Sequence, residues 1–560
     1  MTGWQSAGLL RLAPPLTLGL MAIPVVAGLS GTAIPALRGG GAALGKLLDW
    51  PGLPRAVALS LGTGVASTLL AVALTFLILA AFIGTPRFTR IRRTLAPLLS
   101  VPHAAAALGL AFLLAPSGWI ARVVSPEITG WTTPPNLLIL NDPFGLSLTI
   151  GLVAKELPFL LLMALAALPQ IDAQRRLTTA ATLGYGRIAA FAFTVAPALY
   201  RQLRLPVYAV LAYGMTTVDM ALILGPTLPP TLSAQITLWM AEASLSMRDT
   251  AAAGAMLQFA LVLAALAFWR GLEIGAHRAV IATAELSLRA TLLDRPAALL
   301  AGGASLLITG GLALGLAGLC LWSIAGLWQF PDALPETLTL KTWMTAGPSL
   351  TATAAVSLLI AATATLVALV LTLACLQAEA TYRLTPGTRA LTLLYLPLIV
   401  PQIVFLPGLQ SLALPLSIDG TPLAVAAAHL VFVLPYVFLS LSGPFRAWDP
   451  RIGTTAATCG ASDARIFWQL RLPMLTGPIL TATAVGLAVS LGQYLPTLLI
   501  GGGRIETLTT EAVALSAGGN RRLIGAYAVL QLLLPALAFA AALLVPAILW
   551  RNRRGMRVAA

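Results

Sequence analysis

Charge is the scarcest property of this chain. Only 9% of its 560 residues are Asp, Glu, Lys or Arg, against roughly 25% in soluble domains, which excludes an ordinary soluble globular protein. Cysteine and histidine are almost as rare, with three of each. Cys320, Cys375 and Cys459 lie too far apart for a CxxC motif or a disulfide framework, and His103, His277 and His429 are equally scattered. Neither a metal centre nor any other bound cofactor is therefore expected. Acids are outnumbered, 19 against 34 Lys and Arg, for a net charge of +15. In a soluble chain that excess would suggest nucleic acid. In a chain this apolar it is better explained by basic residues held on the cytoplasmic side of a bilayer, and no nucleic-acid partner is expected.

What fills the sequence is apolar: 58% hydrophobic residues and a mean hydropathy of +0.90. Runs of about 20 residues, the length that crosses a bilayer, fall at 14 to 37, 56 to 82, 94 to 116, 146 to 169, 203 to 225, 251 to 269, 298 to 328, 350 to 376, 390 to 412, 423 to 443, 474 to 499 and 523 to 549. Lipid offers the backbone no partners, so each run must be a helix. The expectation is an all-α membrane protein of about 12 transmembrane helices in two homologous six-helix halves. The first half would span 1–272, a mixed-charge linker 273–297 and the second half 298–560. The N-terminus lacks the short apolar core and small-residue cleavage site of a removable signal, so the first run is expected to be retained. With the N-terminus inside, 24 of the 34 basic residues fall in inside segments, among them Arg553, Arg554 and Arg557, and nine fall outside, with Lys155 in a span. This bias places both termini in the cytoplasm. The longest outside stretch, 117 to 145, is expected to form an outer contact surface.

Two inside segments repeat one another. Asp172 to Pro197 reads DAQRRLTTAATLGYGRIAAFAFTVAP, and Asp449 to Pro473 reads DPRIGTTAATCGASDARIFWQLRLP. An offset of 276 superposes Thr178, Thr179, Ala180, Gly184, Phe191 and Pro197 on Thr454, Thr455, Ala456, Gly460, Phe467 and Pro473. Asp172 and Asp449 suit helix N-caps, whose carboxylates accept from free amides, and Pro450 suits the first helical position. Gly184 and Gly460 suit the left-handed residue that ends a helix. Each copy thus reads as a short helix, a glycine turn and a second short helix, a device able to dock on a partner.

The frame TTAATLG with Pro197, and TTAATCG with Pro473, resembles the signature of the membrane permease subunits of binding-protein-dependent ABC importers: EAA, three residues, Gly, then Pro thirteen further on. The likeness extends over essentially the whole chain and is greatest to the fused two-domain type that includes iron(III) and thiamine permeases. It implies a bacterial inner-membrane, multi-pass subunit with no catalysis of its own, forming a translocation pathway by alternating access. It also implies a homodimer of ABC ATPase subunits that receive the repeated segments as coupling helices, and an external solute-binding protein. One departure matters: the signature Glu falls at Thr178 and Thr454. Docking is then expected to rest on shape, on Phe191 and Phe467, and on Arg187 and Arg465.

Within the spans, Glu156, Asp219 and the weaker Gln493 are candidates for the pathway. A charge there costs about 2.5 to 3.5 kcal/mol on insertion scales, so each acid needs a compensating role or partner. The pathway reading competes with a structural one, in which Glu156 and Asp219 pair with Lys155, His103 or a serine. His103 and His429 read as satisfied interior groups. Gly40 to Lys46, GGAALGK, begins like a phosphate-binding loop but has Leu47 where Ser or Thr is required. ATP hydrolysis must therefore come from another polypeptide. The alternative of another class is an ion-coupled secondary transporter with two six-helix halves. It would respond to an ion gradient, where an importer subunit would bring down a nucleotide-binding protein.

Overall fold

The computed structural model describes residue 8 and residues 10–95, 98, 100–242, 244–285 and 289–551. The linker residues 286–288 and the basic Arg553, Arg554 and Arg557 lie outside the described residues. The helices that frame the site follow in order: α1 Ala13–Arg38, α2 Leu53–Phe82, α3 His103–Leu114, α4 Leu146–Ala167, α5 Ala196–Thr216, α6 Leu245–Glu285, α7 Asp294–Ser323, α8 Gly347–Tyr382, α9 Gln402–Ala413, α10 Pro422–Arg446, α11 Thr476–Leu491 and α12 Arg521–Leu549. The chain is an all-α membrane protein. Among the described residues nine helices are long and apolar enough to cross a membrane, or eleven if each of two bent pairs counts as one span. The run expected at 203 to 225 is not among them. Arg201, Gln202 and Arg204 dilute the start of α5, and the helix stops at Thr216.

Span threonines hide their hydroxyls by donating to the carbonyl one turn back, as Thr63 does to Leu59 at 2.8 Å and Thr75 to Ala71 at 2.7 Å. Such back-bonding satisfies a polar group where water is absent. Proline does the opposite and breaks spans. Pro102 (φ −60°, ψ 150°) and Pro401 (φ −59°, ψ 134°) stand in extended conformation just before α3 and α9. The segment Thr388–Ile399 meets the one beginning at Gln402 at 89°. Spans five and eleven break as well, before Asp219–Leu224 and Leu495–Gly501, where Val218 (φ −106°, ψ −50°) and Tyr494 (φ −99°, ψ −64°) adopt nearly the same backbone conformation.

These breaks follow the sequence offset. Val218 and Tyr494 are 276 apart, as are Leu232 and Leu508, which open the next short helices. The Leu232 amide donates to Ser60 Oγ at 3.0 Å, and the Leu508 amide to Ser357 Oγ at 2.9 Å. The two sets of six helices interlock by exchanging their first spans: α1 packs along α9, and α7 along α3. Glycines permit both approaches. A Cβ on Gly31 would lie 2.5 Å from the Gly408 carbonyl oxygen, and one on Gly315 would lie 2.7 Å from Gly109.

The start of the segment 117 to 145 packs on the protein itself, while Ile128, Leu138 and Phe144 further on stand exposed. Arg122, 4% exposed, donates to the carbonyls of Ser117 at 3.0 Å, Gln329 at 2.6 Å and Asp332 at 3.1 Å, with its guanidinium 5.0 Å from the Trp328 ring. Trp119 Nε1 donates to Ala333 O at 3.0 Å.

Candidate functional site: paired hairpins and a central polar cluster

Both repeated segments fold as the same hairpin. The helices Ala173–Thr182 and Pro450–Thr458 end at Gly184 (φ +82°) and Gly460 (φ +83°), a conformation that L side chains rarely adopt. Tyr185 N returns to Ala180 O at 3.2 Å and Gly184 N to Ala181 O at 3.0 Å. At the second copy, Ala461 N returns to Ala456 O at 3.0 Å and Gly460 N to Ala457 O at 2.9 Å. This paired return satisfies the orphan carbonyls of a helix end. The chain then continues through a wide π-helical turn at Phe191–Val195 or Ile466–Arg471 toward the next span.

Where the signature has Glu, Thr178 donates to Gln174 O at 2.9 Å and Thr454 to Pro450 O at 3.2 Å. Thr179 and Thr455 do the same toward Arg175 O at 3.0 Å and Arg451 O at 2.9 Å. The threonines at the signature position are therefore uncharged and bonded back to their own helices, beside the exposed Arg175 and Arg176 on the first and Arg451 on the second.

The hairpins lie on one side of the molecule. Arg11, just before α1, rests 4.7 Å over the ring of Tyr382, which ends α8 and belongs to the same end of the bundle as the second hairpin. α2 runs back to that side, and the Ile83 carbonyl after it accepts from the Arg187 guanidinium at 2.7 Å.

Three expectations need correction. Asp172 does not cap with its carboxylate. It sits in the left-handed region (φ +48°) after a short 3-10 turn, and its side chain takes no amide. Asp449 does accept from Arg451 N at 2.9 Å, and Arg451 also reaches its carboxylate with its guanidinium, which together hold its pKa below the usual value. Phe191 is no outward anchor: it is 2% exposed and stands edge-on to Phe76 at 5.8 Å. Ala180 is likewise buried, whereas Phe467 is half-buried beside the exposed Trp468 at 5.3 Å. Arg187, exposed like Arg465, donates to Ile83 O.

Among the described residues, the first hairpin has a neighbour that the second lacks. Asp294, the first residue of α7, accepts from Arg187 N at 2.9 Å and Ile188 N at 3.1 Å, and Arg289 O accepts from Gly186 N at 2.8 Å. At the second hairpin the corresponding cap is internal, Ser462 Oγ accepting from Arg465 N at 3.4 Å. A groove of about 630 Å³ beside the first hairpin is lined by Arg175, Arg176, Thr179, Tyr185, Phe193 and the linker-side Ala284, among others.

The predicted pathway residues gather where the broken spans meet. Glu156 Oε1 lies 3.8 Å from His103 Nε2, and Lys155 turns away, its Nζ donating to Leu98 O at 3.2 Å and Val101 O at 2.6 Å. Adjacent residues on a helix point about 100° apart, so the two charges serve different neighbours. Lys155 satisfies carbonyls freed by the break before α3. Asp219 Oδ1 accepts from Thr217 at 3.0 Å. The Tyr213 ring stands 4.8 Å from that of His103, and Tyr213 and Tyr494 pack against one apolar cluster that includes Met220. Gln402 Nε2 faces Gln493 Oε1 at 3.5 Å. Residues of both six-helix sets thus contribute carboxylates, amides and phenols to one region. Sequence reasoning missed the tyrosines and Gln402; their proximity to the breaks at Pro401 and 217–218 was the available signal. His429 is fully engaged, Nδ1 with Ser490 at 2.8 Å and Nε2 with Thr497 at 2.9 Å.

A polytopic helical bundle with paired hairpins on one side and a polar centre between interlocked halves has the form of a transporter's membrane subunit. Over 507 residues the chain is 32% identical to the inner membrane ABC transporter permease protein YnjC of Escherichia coli, covering 90% of this chain and 91% of that protein. It therefore belongs to the ABC transporter permeases. Shorter stretches match the molybdenum transport system permease protein ModB of Mycobacterium bovis, 31% identical over 22% of this chain and 50% of that protein. A further stretch matches the spermidine/putrescine transport system permease protein PotC of Haemophilus influenzae, 25% identical over 26% of this chain and 58% of that protein. No family model matches the chain.

Proposed function

We propose that this chain supplies both membrane halves, 1–272 and 298–560, of an ATP-driven solute importer in a bacterial inner membrane. Its hairpins at 172–197 and 449–473 face the cytoplasm with both termini and receive a pair of ATP-hydrolysing subunits. The solute arrives on an external binding protein and crosses between the halves by alternating access. The chain hydrolyses nothing itself. The observation that carries the reading is the helix end the two hairpins share, with its left-handed glycine and paired return hydrogen bonds, at equivalent places in a duplicated sequence. Thr178 and Thr454 remove the charge at the signature position in both copies, which favours docking by shape, since an exposed ion pair would contribute little in any case.

Glu156, Asp219, Gln493 and Gln402 line the crossing point. A buried carboxylate is retained in a bilayer where it serves a path for polar cargo, and broken helices near mid-membrane are the usual frame of such a path. The test is reconstitution of the chain with its ATP-hydrolysing subunits and binding protein in liposomes. Uptake that needs ATP and ignores an imposed ion gradient supports the proposal, and uptake driven by the gradient without ATP refutes it.

A further inference from the structure

We propose that the linker between the halves is a coupling strut, so that the first hairpin moves as one body with α7 while the second hairpin moves free of it. The inference rests on the reading of the hairpins as the contact for the ATP-hydrolysing subunits.

The evidence is a cap supplied from outside. A helix start leaves amides without partners, and the second hairpin fills that need locally with Ser462. The equivalent position in the first hairpin, 276 residues earlier, is Gly186, which has no side chain to offer. The need is met by Asp294, whose two carboxylate oxygens each take one amide. Glycine there is itself a condition of the contact, because a Cβ on Gly186 would lie 2.9 Å from both Asp294 Oδ2 and Thr291 Cα. Gly186 N then donates to Arg289 O, so three consecutive amides of the hairpin are held by the linker and the first residue of α7.

Sliding the hairpin against α7 would strand three amides and a carboxylate at once. Among the described residues the second hairpin has no such backbone tie to α7; its Arg471 donates to Gln377 on α8 at 3.0 Å, and a Cβ on Gly460 would meet nothing within 4 Å, whereas one on Gly184 would touch the Arg289 guanidinium at 3.4 Å. Since α7 packs along α3 across the exchange, a push on the first hairpin reaches both halves together. The groove lined by Arg175, Tyr185 and Ala284 makes the linker helix one wall of this docking site.

The test places spin labels on the full chain, with its native cysteines replaced by serine, bound to its ATP-hydrolysing subunits in lipid nanodiscs. One pair is Ala181→Cys with Leu299→Cys, joining the first hairpin to α7; the other is Ala457→Cys with Leu299→Cys. Between the nucleotide-free and ATP-trapped states the first distance is expected to stay fixed and the second to change. Asp294→Asn and, separately, Gly186→Ala should release the first pair, so that its distance broadens and shifts with nucleotide. A first distance that shifts as much as the second in the unsubstituted background overturns the strut. Two distances that both ignore ATP in the assembled complex overturn the coupling reading beneath it, a result distinct from the first.

Discussion

Glu156 Oε1 stands 3.8 Å from His103 Nε2, and the residue at the matching position after the second span break, Gln402, stands 3.5 Å from Gln493. One side of the centre is therefore ionisable and the other is neutral. The carboxylate has the weaker support, since it faces a single imidazole and has Lys155 turned away toward Leu98 and Val101. We expect Glu156→Gln, which keeps shape and removes charge, to cut transport at least about tenfold, equivalent to ~1.4 kcal/mol, with normal amounts of assembled protein. Asp219→Asn should behave alike. Uptake per assembled complex is the measurement, and lost assembly with normal uptake in the remainder would mark the pair as structural.

The hairpin glycines carry the second prediction. Proline cannot reach φ +82° or +83°, so Gly184→Pro or Gly460→Pro must open the helix end. Insertion depends on the spans and should persist. ATP hydrolysis should continue without uptake, and the ratio of ATP consumed to solute accumulated should rise in each variant. An unchanged ratio in both would remove the coupling role.

Much of this architecture can be read from the chain. The duplicated hairpin is visible because its geometry is local: a helix, a left-handed glycine and a proline, all within 26 residues. The spans are visible because lipid forces long apolar runs into helices. What escapes the sequence depends on distant partners. Phe191 reads as an anchor by its place in the repeat, yet Phe76 buries it. Asp172 reads as a cap, yet the turn before it sets a backbone that aims the carboxylate elsewhere. The fifth run reads as one span at 203 to 225, yet its helix stops at Thr216 and a new one begins at Asp219. Exchange of α1 and α7 between halves leaves only paired glycines in the sequence, and glycine is too common in membrane helices to single them out.

Asp142 offers a test at the end of the bundle away from the hairpins. Its carboxylate accepts from Phe144 N at 3.2 Å, Leu146 N at 2.8 Å, Ser147 N at 2.9 Å and Ser147 Oγ at 2.8 Å, fixing the start of α4. Burial pushes its pKa up, but these donors together outweigh burial and hold it below the usual value. A lowered folded pKa contributes stability that is complete above the unfolded value, about 3.9, and disappears as pH falls through the folded one. Asp142→Ala should cost about 1 to 3 kcal/mol at neutral pH, read as a lower melting temperature in detergent. Asp142→Asn should remove that part of the acid sensitivity below about pH 4 and leave the profile from pH 5 to 8 unchanged in shape.

The glycine contacts between exchanged spans carry the last prediction. At Gly315 an added methyl would meet the Gly109 backbone at 2.7 Å, and at Gly31 the Gly408 carbonyl at 2.5 Å. Backbone cannot yield as a side-chain tip can, so the helices must separate. Overpacking of this kind costs about 1 to 3 kcal/mol, and here it acts on the contacts that hold the two halves together. Gly315→Ala and Gly31→Ala should each lower the melting temperature. Gly303→Ala on the same α7 should leave it unchanged, because a Cβ there meets nothing within 4 Å. Proteolysis between the halves sharpens the comparison. After a protease site is inserted at 286–288 and cut, the halves of the native chain should stay associated in detergent and those of Gly315→Ala should separate more readily. Equal retention in both would show that the exchange of spans is not held by these close approaches.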